Sequence, residues 1–156
     1  DLLRTGRIDV NWESSKAVDV NLKAPLFAGT LSVLATLMGT PYEPSLEGCM
    51  LMIEDIGEPS RKIDGYMQNL MLSNKIKQLK ALLVGDFDGR EKADEASYPM
   101  ELAFQKVLDS YQYPLIDNLP FGHIATKRSF PIGLPLNLEV HGHKARLFSE
   151  ESIFED

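Results

Sequence analysis

The sequence predicts an α/β domain with a mixed β-sheet, and three observations indicate this fold class. Two short runs, 49–53 and 81–84, are entirely apolar, as expected for strands that are covered on both faces. Segments with helical periodicity alternate with these runs along the chain. Near the end, apolar and polar residues alternate on both sides of a short turn, which predicts a C-terminal antiparallel hairpin.

The first part of the chain has little pattern, and the first predicted helix begins at Leu31. Residues 1–23 are polar and are expected to form a linker or a peripheral strand pair. From Leu31, apolar side chains recur at helical spacing as far as Met38. Gly39 suits the left-handed conformation that closes a helix, and Thr40–Pro41 prevents its continuation.

Two predicted strands flank a second helix in the middle of the chain. The first strand, Cys49–Ile53, is expected to end at Glu54–Asp55. The second strand, 81–84, is expected to be closed by Gly85–Asp86. Between them, Pro59 suits the first turn of a helix. The apolar residues that recur there at helical spacing are Ile63, Tyr66, Met67, Leu70 and Met71.

The second half of the chain continues the alternation and then changes to the hairpin. Residues 99–111 have helical spacing, and residues 114–116 form a short apolar strand. In the hairpin, residues 141–143 form the turn between two alternating segments. The apolar residues of these segments are Leu136, Leu138 and Val140 before the turn, and Ala145, Leu147 and Phe148 after it.

Size, charge and cysteine content exclude several classes of function. The chain has 156 residues, enough for one domain with its own core. A formal net charge of -7, without a run of Lys and Arg, argues against nucleic-acid binding. No apolar stretch approaches the roughly 20 residues of a membrane span. The single cysteine, Cys49, cannot form an intrachain disulfide, so we expect a cytoplasmic protein without nucleic-acid or membrane partners.

Two residues at predicted strand ends are candidates for catalysis. Glu54 ends a strand that should be buried, so its carboxylate must find a hydrogen-bonding partner. His123 follows the short strand on a loop with Pro120 and Gly122, where an imidazole can act as a general base. Each residue alone is more often structural: a carboxylate that caps a loop, or a solvated histidine.

Considered together, the two residues suggest a hydrolase. The carboxyl ends of neighbouring strands meet at one edge of a sheet, so Glu54 and His123 can converge as the orienting acid and the base. The nucleophile stays unassigned, because none of the eleven serines lies in a Gly-x-Ser-x-Gly turn between a strand and a helix. Cys49, in the middle of a predicted strand, is no better a candidate.

Metal binding is not expected from the remaining polar clusters. His141 and His143 lie at a predicted turn and lack a third nearby ligand. The run Asp86–Gly89 is similar to the start of a calcium loop, but Arg90 and Lys92 occupy places where oxygen ligands are needed.

Five motifs in a specific order, spanning roughly residues 24–149, carry a family resemblance. They are Ala28–Leu34 with Leu37–Pro41, Ile53–Pro59 with Ile63–Asp64, Leu82–Phe87, Pro120–His123 and Phe130–Gly133. In order and spacing they resemble the serine LD-carboxypeptidases, or muramoyltetrapeptide carboxypeptidases, together with the related microcin C self-immunity peptidases.

The resemblance implies a fold and a division of catalytic residues between two domains. The family fold is a swivelling three-layer β/β/α domain, and residues 24–156 would be this C-terminal domain. The serine nucleophile of the family lies in a separate N-terminal domain, which this chain lacks. Glu54 and His123 match the Glu and His of the triad. The resemblance also marks Gly29, Thr30 and Gly122 as residues that shape the site or contact substrate.

The resemblance further implies a reaction and partners. The reaction is cleavage of the amide before the terminal D-alanine of murein tetrapeptides, in peptidoglycan recycling and without a metal or organic cofactor. The partners are the murein peptide, the N-terminal domain and a second copy of the protein, since family members often form dimers. Thr30 departs from the family motif, which has asparagine there. Two alternatives remain open: a noncatalytic binding or dimerisation module, and a relative that hydrolyses a peptidyl-nucleotide antibiotic.

Overall fold

The computed structural model describes residues 2–88, 98–126 and 128–154. In chain order, the elements in these ranges are α1 (Leu2–Thr5), β1 (Asp9–Glu13), β2 (Val20–Thr30), α2 (Leu31–Leu37), β3 (Met50–Ile56), α3 (Ser60–Leu72), β4 (Ala81–Asp88), α4 (Met100–Ser110), β5 (Leu115–Ile116), β6 (Pro135–His141) and β7 (Lys144–Phe148). None of these helices has the length and apolarity needed to cross a membrane.

The strands form one mixed sheet in the order β1-β7-β6-β2-β3-β4-β5. Strand β2 joins its two halves, because residues 20–25 pair antiparallel with β6 and residues 26–30 pair parallel with β3. Strands β4 and β5 extend the parallel half, whereas β7 and β1 extend the antiparallel half. The predicted mixed sheet and the predicted hairpin, which is β6 and β7, are therefore confirmed.

The parallel half is buried on both faces because each face packs against a different layer. Strand β3 is buried from Met50 to Asp55. Leu51 and Ile53 share a hydrophobic cluster with residues of α2, α3 and α4. Met50 and Met52 share the other cluster with residues of β6 and β7. The fold therefore has three layers, antiparallel β, parallel β and helices, which agrees with the expected β/β/α arrangement.

Several element boundaries differ from the sequence predictions. Strand β3 begins after Cys49 and continues through Glu54–Asp55, because its backbone stays paired with β2 and β4 there. Strand β4 likewise continues past Gly85–Asp86, with an irregular register at that point. Within residues 1–23, β1 and the first part of β2 pair with β7 and β6 and not with each other.

Asp117, directly after β5, connects the two edges of the sheet. Its carboxylate accepts hydrogen bonds from the Ser14 hydroxyl at 2.8 Å, from the Ser15 N–H at 2.7 Å and from the Ser15 hydroxyl. Its carbonyl oxygen accepts a hydrogen bond from Trp12 Nε1 in β1 at 2.9 Å. Burial alone would raise the pKa of Asp117, but the hydrogen bonds from Ser15 and Ser14 outweigh it and lower the pKa below its ordinary value.

We predict that Asp117→Ala destabilises the fold by about 1–3 kcal/mol at pH 7, since several donors to a charged group lose their acceptor. A carboxyl whose folded pKa is lowered stabilises the protein above its unfolded pKa, about 3.9 for Asp. That contribution disappears as the pH falls through the folded pKa. The difference between wild type and variant should therefore shrink below about pH 4. Urea unfolding at pH 7 and pH 3 measures both effects.

Asp109→Ala is the matched control for this experiment. Asp109 is exposed in α4 and accepts a hydrogen bond from Gln105 of the same helix at 2.8 Å. Its replacement should change the free energy of unfolding by no more than about 0.5 kcal/mol. Equal stabilities of the two variants at pH 7 would show that Asp117 does not hold the sheet edges together.

Candidate active site

The end of β3 places two adjacent carboxylates on opposite faces of the sheet. Glu54 and Asp55 are both 4% exposed. Because side chains alternate along a strand, the Glu54 side chain projects from the same face of the sheet as Met52. The Asp55 side chain projects from the same face as Ile53, on which the helices pack. The two acids therefore have different neighbours, although they are consecutive in the sequence.

Asp55 serves the fold by binding the start of α2. Its Oδ2 accepts a hydrogen bond from the Ser32 N–H at 2.7 Å, and its Oδ1 accepts one from its neighbour Ile56 N–H at 2.9 Å. The first N–H groups of a helix lack partners within the helix, and a carboxylate there also complements the helix dipole. Asp55 therefore anchors α2 on the helical face of the sheet.

The predicted convergence of Glu54 and His123, which follow two different strands, takes the form of a hydrogen-bonded pair. Glu54 Oε2 lies 2.8 Å from His123 Nδ1. The Glu54 side chain is 5% exposed, whereas that of His123 is 49% exposed. An ionised carboxylate only accepts hydrogen bonds, so this contact fits the imidazole tautomer with its proton on Nδ1. In that tautomer, Nε2 has a free lone pair and can accept a proton.

Thr30 supplies the second hydrogen bond to the same carboxylate. Its hydroxyl donates to Glu54 Oε1 at 2.6 Å. Thr30 is the last residue of β2 and is paired directly with Glu54 in the parallel register. Both oxygens of Glu54 therefore have a side-chain donor, and these donors satisfy a carboxylate that is costly to bury unpaired.

The loop that carries His123 is bound to the backbone of β4. The Leu119 N–H donates to the Val84 carbonyl at 3.1 Å, and the Asp86 N–H donates to the Phe121 carbonyl at 2.8 Å. Between the pairs Ile53–Val84 and Asp55–Phe87, β4 contains one residue more than β3. This β-bulge lies beside Glu54, so it brings the loop to the end of β3.

Two glycines allow the loop to approach this closely. A Cβ on Gly85 would lie 2.5 Å from the Phe121 carbonyl oxygen, a distance that real side chains do not reach. A Cβ on Gly122 would lie 3.0 Å from Glu54 Cβ and 3.1 Å from Glu54 Oε2. Gly122 also has a φ of +120°, which disfavours side chains. From the sequence, Gly85 was expected only to close the strand 81–84, and its position after this apolar run was the available signal for a close contact.

The other residues marked by sequence lie in different surroundings. Gly29 neighbours Thr30 in β2, and a Cβ there would meet open space. His141 and His143 lie at the turn between β6 and β7, where His143 Nδ1 is 2.9 Å from the Ser14 carbonyl oxygen. The run Asp86–Gly89 extends beyond the described residues. Within the described part of the chain, no serine hydroxyl is hydrogen-bonded to His123.

Comparisons with known proteins identify relatives of the chain. The family model for the LD-carboxypeptidase C-terminal domain matches residues 23–138. The murein tetrapeptide carboxypeptidase of Pseudomonas aeruginosa is 31% identical over 121 residues, which cover 76% of this chain and 38% of that protein. The crystal structure of muramoyltetrapeptide carboxypeptidase from Oxalobacter formigenes has a TM-score of 0.85 at 28% identity, covering 93% of this chain and 50% of that one.

A more distant likeness concerns the fold alone. A structure of microcin C7 self-immunity protein in complex with aspartyl sulfamoyl adenosine has a TM-score of 0.72 at 18% identity. It covers 88% of this chain and 41% of that chain. The chain thus spans half or less of the length of these three relatives.

We predict that Gly85→Ala destabilises the fold by about 1–3 kcal/mol, because the added methyl group collides with the Phe121 carbonyl and displaces the loop. Thermal or urea unfolding measures the loss. An NMR spectrum of the variant should also show shifted resonances for His123.

Gly65→Ala is the matched control, with the same substitution at another site. Gly65 lies in α3, and a Cβ there would meet nothing within 4 Å. Alanine is favoured over glycine within a helix, so this variant should be more stable than wild type by about 0.5–1 kcal/mol. A Gly85→Ala variant as stable as wild type would contradict the close approach of the loop to β4.

Proposed function

The chain belongs to the LD-carboxypeptidase C-terminal domain family, and from this premise we propose that it supplies the Glu and His of a serine peptidase. The proposed reaction is hydrolysis of the amide before the terminal D-alanine of murein tetrapeptides. The observation that carries the proposal is the hydrogen bond between the buried Glu54 and the half-exposed His123. The name of the relative in Pseudomonas aeruginosa, a murein tetrapeptide carboxypeptidase, supports the substrate class.

His123 would act as general base and then as general acid. Its Nε2 accepts the proton of a serine hydroxyl as the serine oxygen attacks the carbonyl carbon of the peptide. The same nitrogen then donates this proton to the leaving amine of D-alanine, which leaves an acyl-enzyme. A water molecule, activated by the same nitrogen, hydrolyses the acyl-enzyme and regenerates the serine.

Glu54 would orient the imidazole and stabilise its charged form. The carboxylate accepts a hydrogen bond from the Nδ1–H group, so the lone pair of Nε2 is available to the serine hydroxyl. When His123 takes up the serine proton, the imidazolium lies against an anion that is shielded from water, which strengthens their attraction. Because Glu54 is buried and bonded through both oxygens, it does not need to reorganise during the reaction.

The serine would come from an N-terminal domain outside this chain. Two observations support this division: residues 23–138 match a C-terminal domain family, and the imidazole is about half exposed, which leaves it accessible to a second domain. In this proposal, residues 24–156 form the C-terminal domain, and residues 1–23, whose strand β1 and first part of β2 pair with β7 and β6, form a peripheral segment of it. The oxyanion would be stabilised mainly by backbone N–H groups of the other domain.

The remaining expectations belong to the same proposal. The enzyme would act without a metal or organic cofactor, in the cytoplasm, and as a homodimer. Gly29 and Gly122 would shape the substrate site next to the catalytic pair.

We predict that Glu54→Ala and His123→Ala each lower turnover by about a thousandfold or more in the complete protein, since each removes a member of the triad. Release of D-alanine from a purified muropeptide measures the activity. His141→Ala and Glu47→Ala are matched controls, because both residues are exposed and lie outside the site. Unchanged turnover in His123→Ala would contradict the mechanism.

We also predict that the purified 156-residue chain does not release D-alanine, because it lacks the proposed nucleophile. The assay is the same, at the protein concentration that gives full activity with the complete protein. Hydrolysis by the chain alone, abolished by His123→Ala, would show that one of its own residues is the nucleophile. Hydrolysis of a peptidyl-nucleotide by the complete protein, without release of D-alanine, would instead favour the antibiotic-hydrolysing alternative.

A further inference from the structure

We propose that Thr30 is a positioning residue that acts through Glu54 to hold His123 in its working orientation, an inference that rests on the proposed function. The Thr30 hydroxyl donates to Glu54 Oε1, and the other oxygen of the same carboxylate receives His123 Nδ1. The role is indirect, because the contact of this hydroxyl is with the carboxylate. Thr30 thus extends the catalytic pair to a chain of three side chains.

The hydroxyl of Thr30 is free for this task because another residue caps α2. Thr30 occupies the N-cap position, with φ -69° and ψ 127°, where a threonine oxygen commonly accepts a hydrogen bond from the helix backbone. No such side-chain bond forms here. Asp55 Oδ2 accepts the Ser32 N–H at 2.7 Å instead. The two acids at the end of β3 therefore have different partners: Asp55 accepts the N–H at the start of α2, and Glu54 accepts the hydroxyl of Thr30.

The strand register makes the contact between Thr30 and Glu54 well defined. The two residues are directly paired in adjacent parallel strands, so their side chains project from the same face of the sheet. Threonine is branched at Cβ, which restricts its rotamers. The hydroxyl is therefore held toward the carboxylate by the backbone of the sheet.

Loss of this donor would affect the orientation of the carboxylate. Glu54 is 4% exposed, and an anionic oxygen without a donor is costly at such a site. Glu54 would respond by rotating its carboxylate or by moving toward solvent. Either movement changes the direction of Oε2, which is the oxygen that binds His123. A small misplacement of a catalytic base lowers the rate of the chemical step more than it lowers substrate binding.

The test compares two substitutions of Thr30 in the complete protein. Thr30→Val keeps the shape of the side chain and removes the donor. We expect kcat for D-alanine release to fall about tenfold to a hundredfold, the range for losing a hydrogen bond to a charged group, with KM changed less than about threefold. Thr30→Ser restores the hydroxyl and should return kcat to within about threefold of wild type.

Thr36→Val is the matched control. Thr36 lies in α2, the helix that follows Thr30, and its hydroxyl donates to the Val33 carbonyl of the same helix at 2.7 Å. The substitution removes the same group without reaching Glu54, so kcat should stay at the wild-type value. Thermal unfolding of all three variants shows whether any change in kcat follows from a loss of stability.

A second measurement does not depend on activity. Nitrogen-15 NMR of the imidazole in this chain reports which ring nitrogen of the neutral His123 carries the proton. We expect the Nδ1-protonated tautomer to predominate in wild type, Thr30→Ser and Thr36→Val, since Glu54 accepts that proton. In Thr30→Val, the population should move toward the Nε2-protonated tautomer.

The outcomes separate this proposal from the function on which it rests. If Thr30→Val keeps wild-type kcat and tautomer while His123→Ala is inactive, the function stands and the positioning role is wrong. If both Thr30 variants lose kcat and stability together, Thr30 only packs the site, which also overturns the proposal. If the complete wild-type protein releases no D-alanine, the proposed function fails, and the tautomer populations alone decide the role of Thr30.

Discussion

The burial of the Glu54 carboxylate is the constraint on which the rest of the site depends. A charged group that is 4% exposed must have hydrogen-bond donors, because water cannot solvate it. The donors come from two parts of the chain, Thr30 on β2 and His123 on the loop after β5. The site therefore exists only when β2, β3 and that loop are all in place, and folding of the parallel half assembles it.

The approach of the loop to β4 shows how the backbone meets this constraint. One extra residue in β4 creates a bulge beside the end of β3, and the Asp86 N–H there binds the Phe121 carbonyl. Gly85 and Gly122 remove the side chains that would otherwise separate the loop from β4 and from Glu54. The position of His123 therefore depends on backbone hydrogen bonds between its loop and β4, in addition to the contact of its own ring with Glu54.

The consecutive acids Glu54 and Asp55 illustrate how one strand serves both chemistry and stability. The period of two along β3 directs Glu54 to the loop and Asp55 to α2. A shift of the register by one residue would exchange these roles, and it would also move Ile53 out of the helical cluster. The apolar core of β3 therefore also fixes which acid reaches the imidazole.

The sequence by itself determined most helices and strands after Leu31 and the family, and the family resemblance implied the three-layer arrangement. Apolar runs and helical spacing predicted β3, α3 and the hairpin, because such patterns depend only on near neighbours. Five ordered motifs predicted membership of the family whose C-terminal domain matches residues 23–138. The positions of Glu54 and His123 after two predicted strands indicated that these residues form a pair, because parallel strands end at one edge of a sheet.

Only the tertiary structure decided how these candidates meet. The sequence could not show that β3 continues past Glu54, that Gly85 must lack a side chain, or that Thr30 binds a carboxylate instead of capping its helix. Each of these facts depends on strand register and on contacts with distant residues. Thr30 is 24 positions from Glu54, and a local pattern has no information about which distant hydroxyl lies beside that carboxylate.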